Sequence, residues 1–95
     1  MVEGNALSEP KLEVFRTFVM RALRESDGPM SMPMLRDEAK RQIPAYCDDR
    51  KPCGCRQCAS QWHHTLKRAV FDLRSKWPPK VESVPGRRGW YQLGK

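Results

Sequence analysis

The sequence contains no apolar run that approaches the roughly 20 residues needed to cross a membrane. Its first residues, MVEGNALSEPK, lack the basic region followed by an apolar stretch that defines a secretory signal. It has no internal repeat and no low-complexity segment, which argues against a repeat array or a compositionally biased tail. These absences predict a protein that is neither inserted in a membrane nor exported, and the expected compartment is the cytoplasm.

Acidic residues are scarce in the C-terminal third of the chain. The 95 residues include 18 Lys and Arg against 11 Asp and Glu, for a net charge of +7. Residues 1–30 hold four basic and five acidic side chains, residues 31–60 hold six and four, and residues 61–95 hold eight and two. This asymmetry favours a polyanionic partner such as nucleic acid. The alternative is a basic face that only keeps the protein in solution.

Two amphipathic helices are predicted in the first half of the chain. Apolar residues at helical spacing place helix one at about 9–26, and Gly28 would supply a left-handed cap at its end. A very short extended piece follows. Helix two then begins with Ser31 or Met32 as its cap and ends at Ile43, which precedes a proline.

A third helix and a hairpin are predicted in the second half. Helix three covers about residues 60–76, and its apolar stripe continues as far as Trp77. Its opposite face is polar and basic except for Phe71, which would pack against the hairpin or contact a partner. The hairpin has strands at 81–84 and 90–93, joined by a turn that carries two arginines between glycines.

This order of elements predicts the fold class. Helix, tiny strand, helix, helix and hairpin make a mainly α protein with a small β-hairpin (α+β), which is the arrangement of a winged helix-turn-helix with three helices and a wing. Residues 1–8 would form a flexible tail. Residues 9–95 would form one winged-helix domain, because a chain of this length supports a single core.

The C-terminal part of the chain resembles a known family. The segment QWHHTLKRAVFDLRSKWPPKVESVPGRRGWYQL is similar to the end of the N-terminal winged-helix domain of Mrr-type restriction proteins. The residues that match the family pattern are Trp62, Ala69, Leu73, Arg88, Gly89 and Trp90. The resemblance covers about residues 11–93 and implies binding of duplex DNA. A cysteine loop between helices two and three departs from the family, and no nuclease domain follows the wing, so we expect no enzymatic activity.

All four cysteines lie in the loop at 46–59, between helices two and three. They follow the spacing C-x5-C-x-C-x2-C and are Cys47, Cys53, Cys55 and Cys58. Four thiolates suit a closed tetrahedral zinc site, and the C-x2-C element is common in such sites. Arg50, Lys51 and Arg56 would offset the negative charge of the thiolates and lower their pKa values. The spacing therefore predicts a structural zinc ion.

Other states of the cysteines stay open at this point. Four cysteines also hold iron–sulfur clusters, which would make the protein a redox-sensing regulator. Disulfides require an oxidising compartment, and free thiols are a third possibility. His63 or His64 could replace one cysteine as a zinc ligand, because a C-x4-H spacing from Cys58 is a feasible reach. No Glu stands beside the cluster as a general base, so zinc catalysis is not expected.

Polar and basic side chains on helix three and on the wing are the predicted DNA contacts. The N-terminal half of helix three would enter the major groove, and the arginines of the wing would reach the minor groove or the backbone. The cysteine loop would add phosphate contacts. The predicted contact residues are Gln61, His64, Thr65, Lys67, Arg68, Arg87, Arg88, Arg50, Lys51 and Arg56.

These features predict a small regulator or a stand-alone reader domain with duplex DNA as its partner. Such a protein would be a monomer or a homodimer, and in a prokaryote it would associate with the nucleoid. Winged helices and zinc knuckles also serve as adaptors, so a protein–protein interaction module is the alternative function.

Overall fold

Three helices followed by a small hairpin form the framework of the protein. A computed structural model describes residues 11–54 and 60–94. In these ranges the elements are α1 (Leu12–Glu25), β1 (Met30–Ser31), α2 (Met32–Gln42), a 3-10 turn (Pro44–Tyr46), α3 (Gln61–Ser75), β2 (Val81–Ser83) and β3 (Trp90–Leu93). This order confirms the predicted α+β class and a winged-helix-like arrangement. None of the described helices is long and apolar enough to cross a membrane.

The packing of α1 against α3 provides the centre of the core. Phe15 of α1 stacks against Trp62 of α3 with ring centroids 6.4 Å apart, and both side chains are buried. Each helix buries the apolar stripe that its sequence spacing predicts. At the edge of this contact Arg16 donates to the Asp72 carboxylate at 3.2 Å. The position of α3 on the protein is therefore set mainly by α1.

The three strands form an antiparallel sheet with β3 in the middle. β1 pairs with β3 through Met30 and Tyr91, and β2 pairs with β3 through Val81 and Leu93. The hairpin between β2 and β3 is the wing. At its tip Gly86 and Gly89 have φ values of 77° and 80°, in the left-handed region where glycine is favoured.

The two ends of α1 differ from the prediction. The helix begins at Leu12 rather than residue 9, because Lys11 is extended with φ −113° and ψ 129°. Gly28 is not left-handed, so the predicted cap was wrong. Ser26 ends the helix in an extended conformation instead. Its hydroxyl is hydrogen-bonded to the backbone N–H and carbonyl of Gly28, which closes the turn without a positive φ.

The ends of α2 follow the sequence more closely. The Ser31 hydroxyl accepts a hydrogen bond from the Met34 backbone N–H at 3.4 Å, so Ser31 is the cap, and Pro33 lies in the first turn. The helix stops at Gln42, one residue before Ile43, as the following proline requires. The loop that follows begins with an ordered 3-10 turn, which the sequence pattern did not indicate.

The C-terminal end of α3 contains one further correction. Trp77 does not continue the buried stripe, since it is 91% exposed. The helix ends at Ser75, and Lys76 is extended with φ −74° and ψ 157°. The change in chain direction carries Trp77 away from the core.

Candidate nucleic-acid interface

The face of α3 that points away from α1 carries most of the predicted contacts. Gln61, His64, Lys67 and Arg68 are exposed there. Thr65 lies at the edge of this face and is only half-exposed, and its hydroxyl donates to the Gln61 carbonyl at 3.1 Å. The Thr65 hydroxyl proton is thus used within the helix, while the other four side chains project into solvent.

Phe71 lies in the middle of the same face. It follows Lys67 by four residues and Arg68 by three, and residues at these spacings are neighbours on a helix surface. Its side chain is 63% exposed, so packing against the hairpin, one of the two predicted possibilities, does not bury it. The helix therefore presents a large apolar side chain surrounded by cations.

The wing arginines are exposed but held close to the hairpin. The Arg87 guanidinium lies over the Trp90 ring, 4.0 Å from its centroid. Arg74 of α3 lies over the Tyr91 ring at 5.8 Å. A cation over an aromatic face is attracted by the ring quadrupole, which holds Arg87 against its own hairpin and Arg74 of α3 against β3.

A cleft of about 620 Å³ opens between α3 and the wing. Its described lining consists of Arg74, Ser83, Val84, Gly86, Arg87, Arg88, Gly89 and Tyr91. Three guanidinium groups face this concave surface, and the described lining contains no carboxylate to offset them. A cleft lined by charges of one sign concentrates the field and attracts anions.

Arg74 was not among the predicted contact residues. It follows Lys67 by seven residues, two turns along the helix, so the helical period places both on neighbouring parts of one face. The helical spacing of the sequence was therefore enough to place Arg74 on the same face as Lys67. Its significance depends on the wing standing beside the C-terminal half of the helix, which no local pattern shows.

The loop before α3 is fastened to both neighbouring helices. The Asp49 carboxylate accepts from the Lys40 ammonium of α2 at 2.6 Å and from the Trp62 indole N–H of α3 at 2.8 Å. These hydrogen bonds, with that from Lys40 the larger cause, hold the pKa of Asp49 below its usual value. The Gln61 N–H also donates to the Lys51 carbonyl at 2.9 Å. The start of α3 is therefore fixed by contacts from Asp49 and Lys51.

Two loop cations that were predicted to contact DNA differ in their surroundings. The Arg50 guanidinium donates to the buried Asp48 carboxylate at 3.1 Å, and the Arg50 backbone N–H donates to the same oxygen at 3.0 Å. These bonds lower the pKa of Asp48, with the backbone bond the larger cause. Arg50 thus lies against a negative charge of its own loop. Lys51 is half-exposed, and Arg56 lies outside the described residues.

Two of the four predicted zinc ligands can be placed. Cys47 is buried, and its thiol donates to the Ile43 carbonyl at 3.5 Å. The pKa of this thiol is raised to about 11, first by burial and then by the charge of Asp49, while Lys40 opposes the shift. Cys53 is half-exposed. The predicted ligands Cys55 and Cys58 lie outside the described residues.

The fit of a zinc ion to this loop rests on those two thiols. Ligation at Cys47 would require its thiol to release a proton and leave the Ile43 carbonyl, since zinc binds the thiolate. In the described ranges no three His, Cys, Asp or Glu side chains are grouped so that they could hold a metal ion. The four-cysteine site includes residues beyond those ranges and stays a prediction.

The two histidines have different surroundings at the start of α3. The His63 ring meets the Trp62 ring edge-on, with centroids 4.2 Å apart and planes inclined by 81°. Burial lowers the pKa of His63, and the positive charge of Arg36 adds to this shift. A neutral imidazole retains the lone pair that a metal requires, so the surroundings of His63 are compatible with ligation. His64 is exposed on the outer face of α3.

Comparison with family models, with curated proteins and with solved structures found no match to this chain. The winged-helix-like topology therefore rests on the order and pairing of its own elements. The resemblance to Mrr-type restriction proteins stays a prediction from the residues of helix three and the wing.

Proposed function

We propose that the protein binds duplex DNA through α3 and the wing. The observation that supports this most strongly is the convergence of Arg74, Arg87 and Arg88 on the cleft between these two elements. Guanidinium groups match the geometry of phosphate oxygens and bind them with charge-assisted hydrogen bonds. Arg74 of this cleft lies two helical turns after Lys67, so α3 contributes cations both to the cleft and to its own outer face.

In this proposal each part of the surface has its own role. The outer face of α3 enters the major groove, where Gln61 and His64 meet base edges and Lys67 and Arg68 meet guanine or phosphate. Phe71 supplies an apolar contact, of the kind that a thymine methyl group accepts. The three arginines of the cleft hold the DNA backbone alongside the wing. The protein then acts as a regulator or a reader domain, related to those of Mrr-type proteins, without cleaving DNA.

We also propose that the loop holds a structural zinc ion through Cys47, Cys53, Cys55 and Cys58. The spacing of the cysteines supports this, and so does the position of the loop, which joins α2 to α3. The ion would add to the contacts of Asp49 and Lys51 in fixing the first turn of the DNA-binding helix. An iron–sulfur cluster at the same cysteines would make the regulator sensitive to oxidation.

The test is the salt dependence of binding to a fluorescent duplex of random sequence. Replacing Arg87 and Arg88 by Ala is expected to weaken binding and to reduce the slope of log K against log salt by about two, because each phosphate contact releases counterions. The matched control is the double variant R21A/R24A, which removes the same charge from the exposed surface of α1. If both variants lose affinity equally, the net charge matters and the assignment of the wing fails.

A further inference from the structure

Trp77 is the most exposed large apolar side chain in the described part of the protein, at 91%. It stands at the mouth of a cleft of about 610 Å³ between the end of α3, α1 and the base of the hairpin. The residues that line the cleft are Met20, Lys76, Trp77, Pro78, Pro79, Lys80, Leu93 and Gly94. The Trp77 indole thus lies beside the apolar side chains of Met20, Pro78, Pro79 and Leu93, and aromatic side chains are enriched at the centre of interaction surfaces.

The backbone beneath Trp77 is tightly held. The Lys80 N–H donates to the Leu73 carbonyl at 3.0 Å, and the Gly94 N–H donates to the Lys80 carbonyl at 2.9 Å. A Cβ atom at Gly94 would clash with the Pro79 carbonyl, so the chain end and the proline segment are in close contact. The rings of the two prolines also fix their φ angles. The backbone of this surface is therefore pre-organised, so it loses little conformational entropy when a ligand binds.

The charge around the cleft indicates the chemistry of its ligand. Lys76 and Lys80 are both exposed and stand on either side of the Trp77–Pro79 segment. The described lining contains no carboxylate. A second copy of the chain docked face to face would bring the lysines of both copies together, and such like-charge contacts are unfavourable. The carboxylates of an acidic ligand would pair with Lys76 and Lys80, while its apolar side chains would pack against the indole and the proline rings.

This cleft shares no lining residue with the arginine cleft beside the wing, although Arg74 precedes Trp77 by only three residues. Val81 pairs with Leu93 at the base of the hairpin, whereas the wing tip with Gly86 and Gly89 is at the opposite end. Trp77 also follows the C-terminal end of α3. The 15 residues of that helix extend about 22 Å, which separates Trp77 from the N-terminal half that would enter the major groove.

We propose that the cleft beside Trp77 is a docking site for an acidic segment of another protein, which inserts an apolar side chain between the indole and the proline rings. The site goes beyond DNA binding, because it would join a partner to the protein while α3 and the wing hold a duplex. Recognition rests on one aromatic anchor with cations on both sides, an arrangement in which a few side chains carry most of the binding energy.

The test is selection of ligands from a phage-displayed library of random short peptides on the 95-residue protein. Synthetic versions of the selected peptides are then titrated against the wild type and its variants. The expected ligands combine Asp or Glu with Leu or an aromatic residue. They should bind at least about tenfold more weakly to W77A, because loss of an anchor typically costs more than 1.4 kcal/mol. W77F should retain part of the affinity, and K76E/K80E should lose it.

The control variant is F71A, which removes the exposed aromatic side chain of α3 and should leave peptide binding unchanged. Titration of single-stranded and duplex DNA and measurement of native mass complete the set. Selected peptides without acidic residues, or equal binding to W77A, would overturn the proposal. Two further results would overturn it: a W77A variant that binds the peptides as tightly as the wild type but binds nucleic acid more weakly, and a W77A variant with a different native mass.

Discussion

The indole N–H of Trp62 donates a hydrogen bond to the carboxylate of Asp49 across 2.8 Å. Trp62 is a buried residue of α3, and Asp49 belongs to the loop before that helix. The other carboxylate oxygen accepts from Lys40 of α2. One side chain therefore joins both helices that flank the loop, and it does so at the end of α3 that is proposed to enter DNA.

Replacing Asp49 by Ala is expected to lower the free energy of unfolding by about 1–3 kcal/mol. The reason is that the Trp62 N–H would remain buried without its acceptor, which costs the desolvation of that group. Urea unfolding at neutral pH measures the change. The variant D49N keeps an oxygen that can accept from the indole, so it should lose less. Equal stability of D49A and the wild type would contradict this role of the hydrogen bond.

The stability of the protein should also depend on Asp49 in acid. The pKa of Asp49 is lowered in the folded state, first by the hydrogen bond from Lys40 and then by that from Trp62. Its contribution is therefore complete above the unfolded pKa of about 3.9 and is lost as the pH falls through the folded value. The free energy of unfolding should be measured from about two pH units above the unfolded pKa downward. It should fall more steeply with decreasing pH for the wild type than for D49N. Parallel curves would rule out this linkage.

Replacing by Ala the serines that precede α2 and α3 should affect the stability of the protein differently. Ser31 accepts from the Met34 N–H, so S31A should cost about 1 kcal/mol of stability. Ser60 precedes α3, but its buried hydroxyl makes no cap and no hydrogen bond within the described residues. S60A should therefore leave thermal stability unchanged or raise it, because an unpaired buried hydroxyl is unfavourable. A loss in S60A as large as that in S31A would show that the Ser60 hydroxyl has a partner.

Phe71 offers a test of whether α3 enters the groove. Burial of its exposed ring against DNA should contribute on the order of 1.5–3 kcal/mol, so F71A should weaken duplex binding by about tenfold or more. Because no phosphate contact is lost, the salt slope should stay unchanged. The R87A/R88A variant differs in this respect, because its slope of log K against log salt should be smaller than that of the wild type. Unaltered affinity in F71A, with an unchanged melting curve, would remove this face from the interface.

Metal removal provides a separate test of the cysteine loop. One zinc ion per chain is expected by native mass spectrometry, and a chelator should lower the thermal midpoint markedly, since structural zinc contributes on the order of 10 kcal/mol in small peptides. C47S, C53S, C55S and C58S should each lose zinc, whereas H63A should retain it. Zinc retained in C47S together with loss in H63A would replace Cys47 by His63 in the ligand set. Iron and a brown colour would indicate the cluster instead.

The sequence correctly predicted the features that depend only on residues close together in the chain. Ser31 caps α2 through a hydrogen bond three residues away, and α2 stops before Ile43 because a proline follows. Helical spacing placed Phe71 on the outer face of α3, where it is exposed. Each of these features is determined within one or two turns of the chain, which is the range over which sequence spacing is informative.

Features that depend on distant residues were missed or wrong. Trp77 was assigned to the buried stripe, but the chain changes direction at Lys76 and exposes it. The contact of Asp49 with Trp62 joins residues 13 positions apart, across most of the cysteine loop. No periodicity encodes such contacts, because they form only once separate elements have packed together.

The central position of β3 in the sheet has a consequence for the order of folding. Met30 near the start of the chain pairs with Tyr91 near its end, and most of the sequence lies between them. Closing so long a loop is entropically costly, so this pairing is expected to form after the helices have docked. Both outer strands then depend on β3, which is the last strand in the described part of the chain. A polypeptide shortened before Trp90 would leave β1 and β2 without the strand with which both pair in the described residues, so the wing and the pairing of β1 would be lost together.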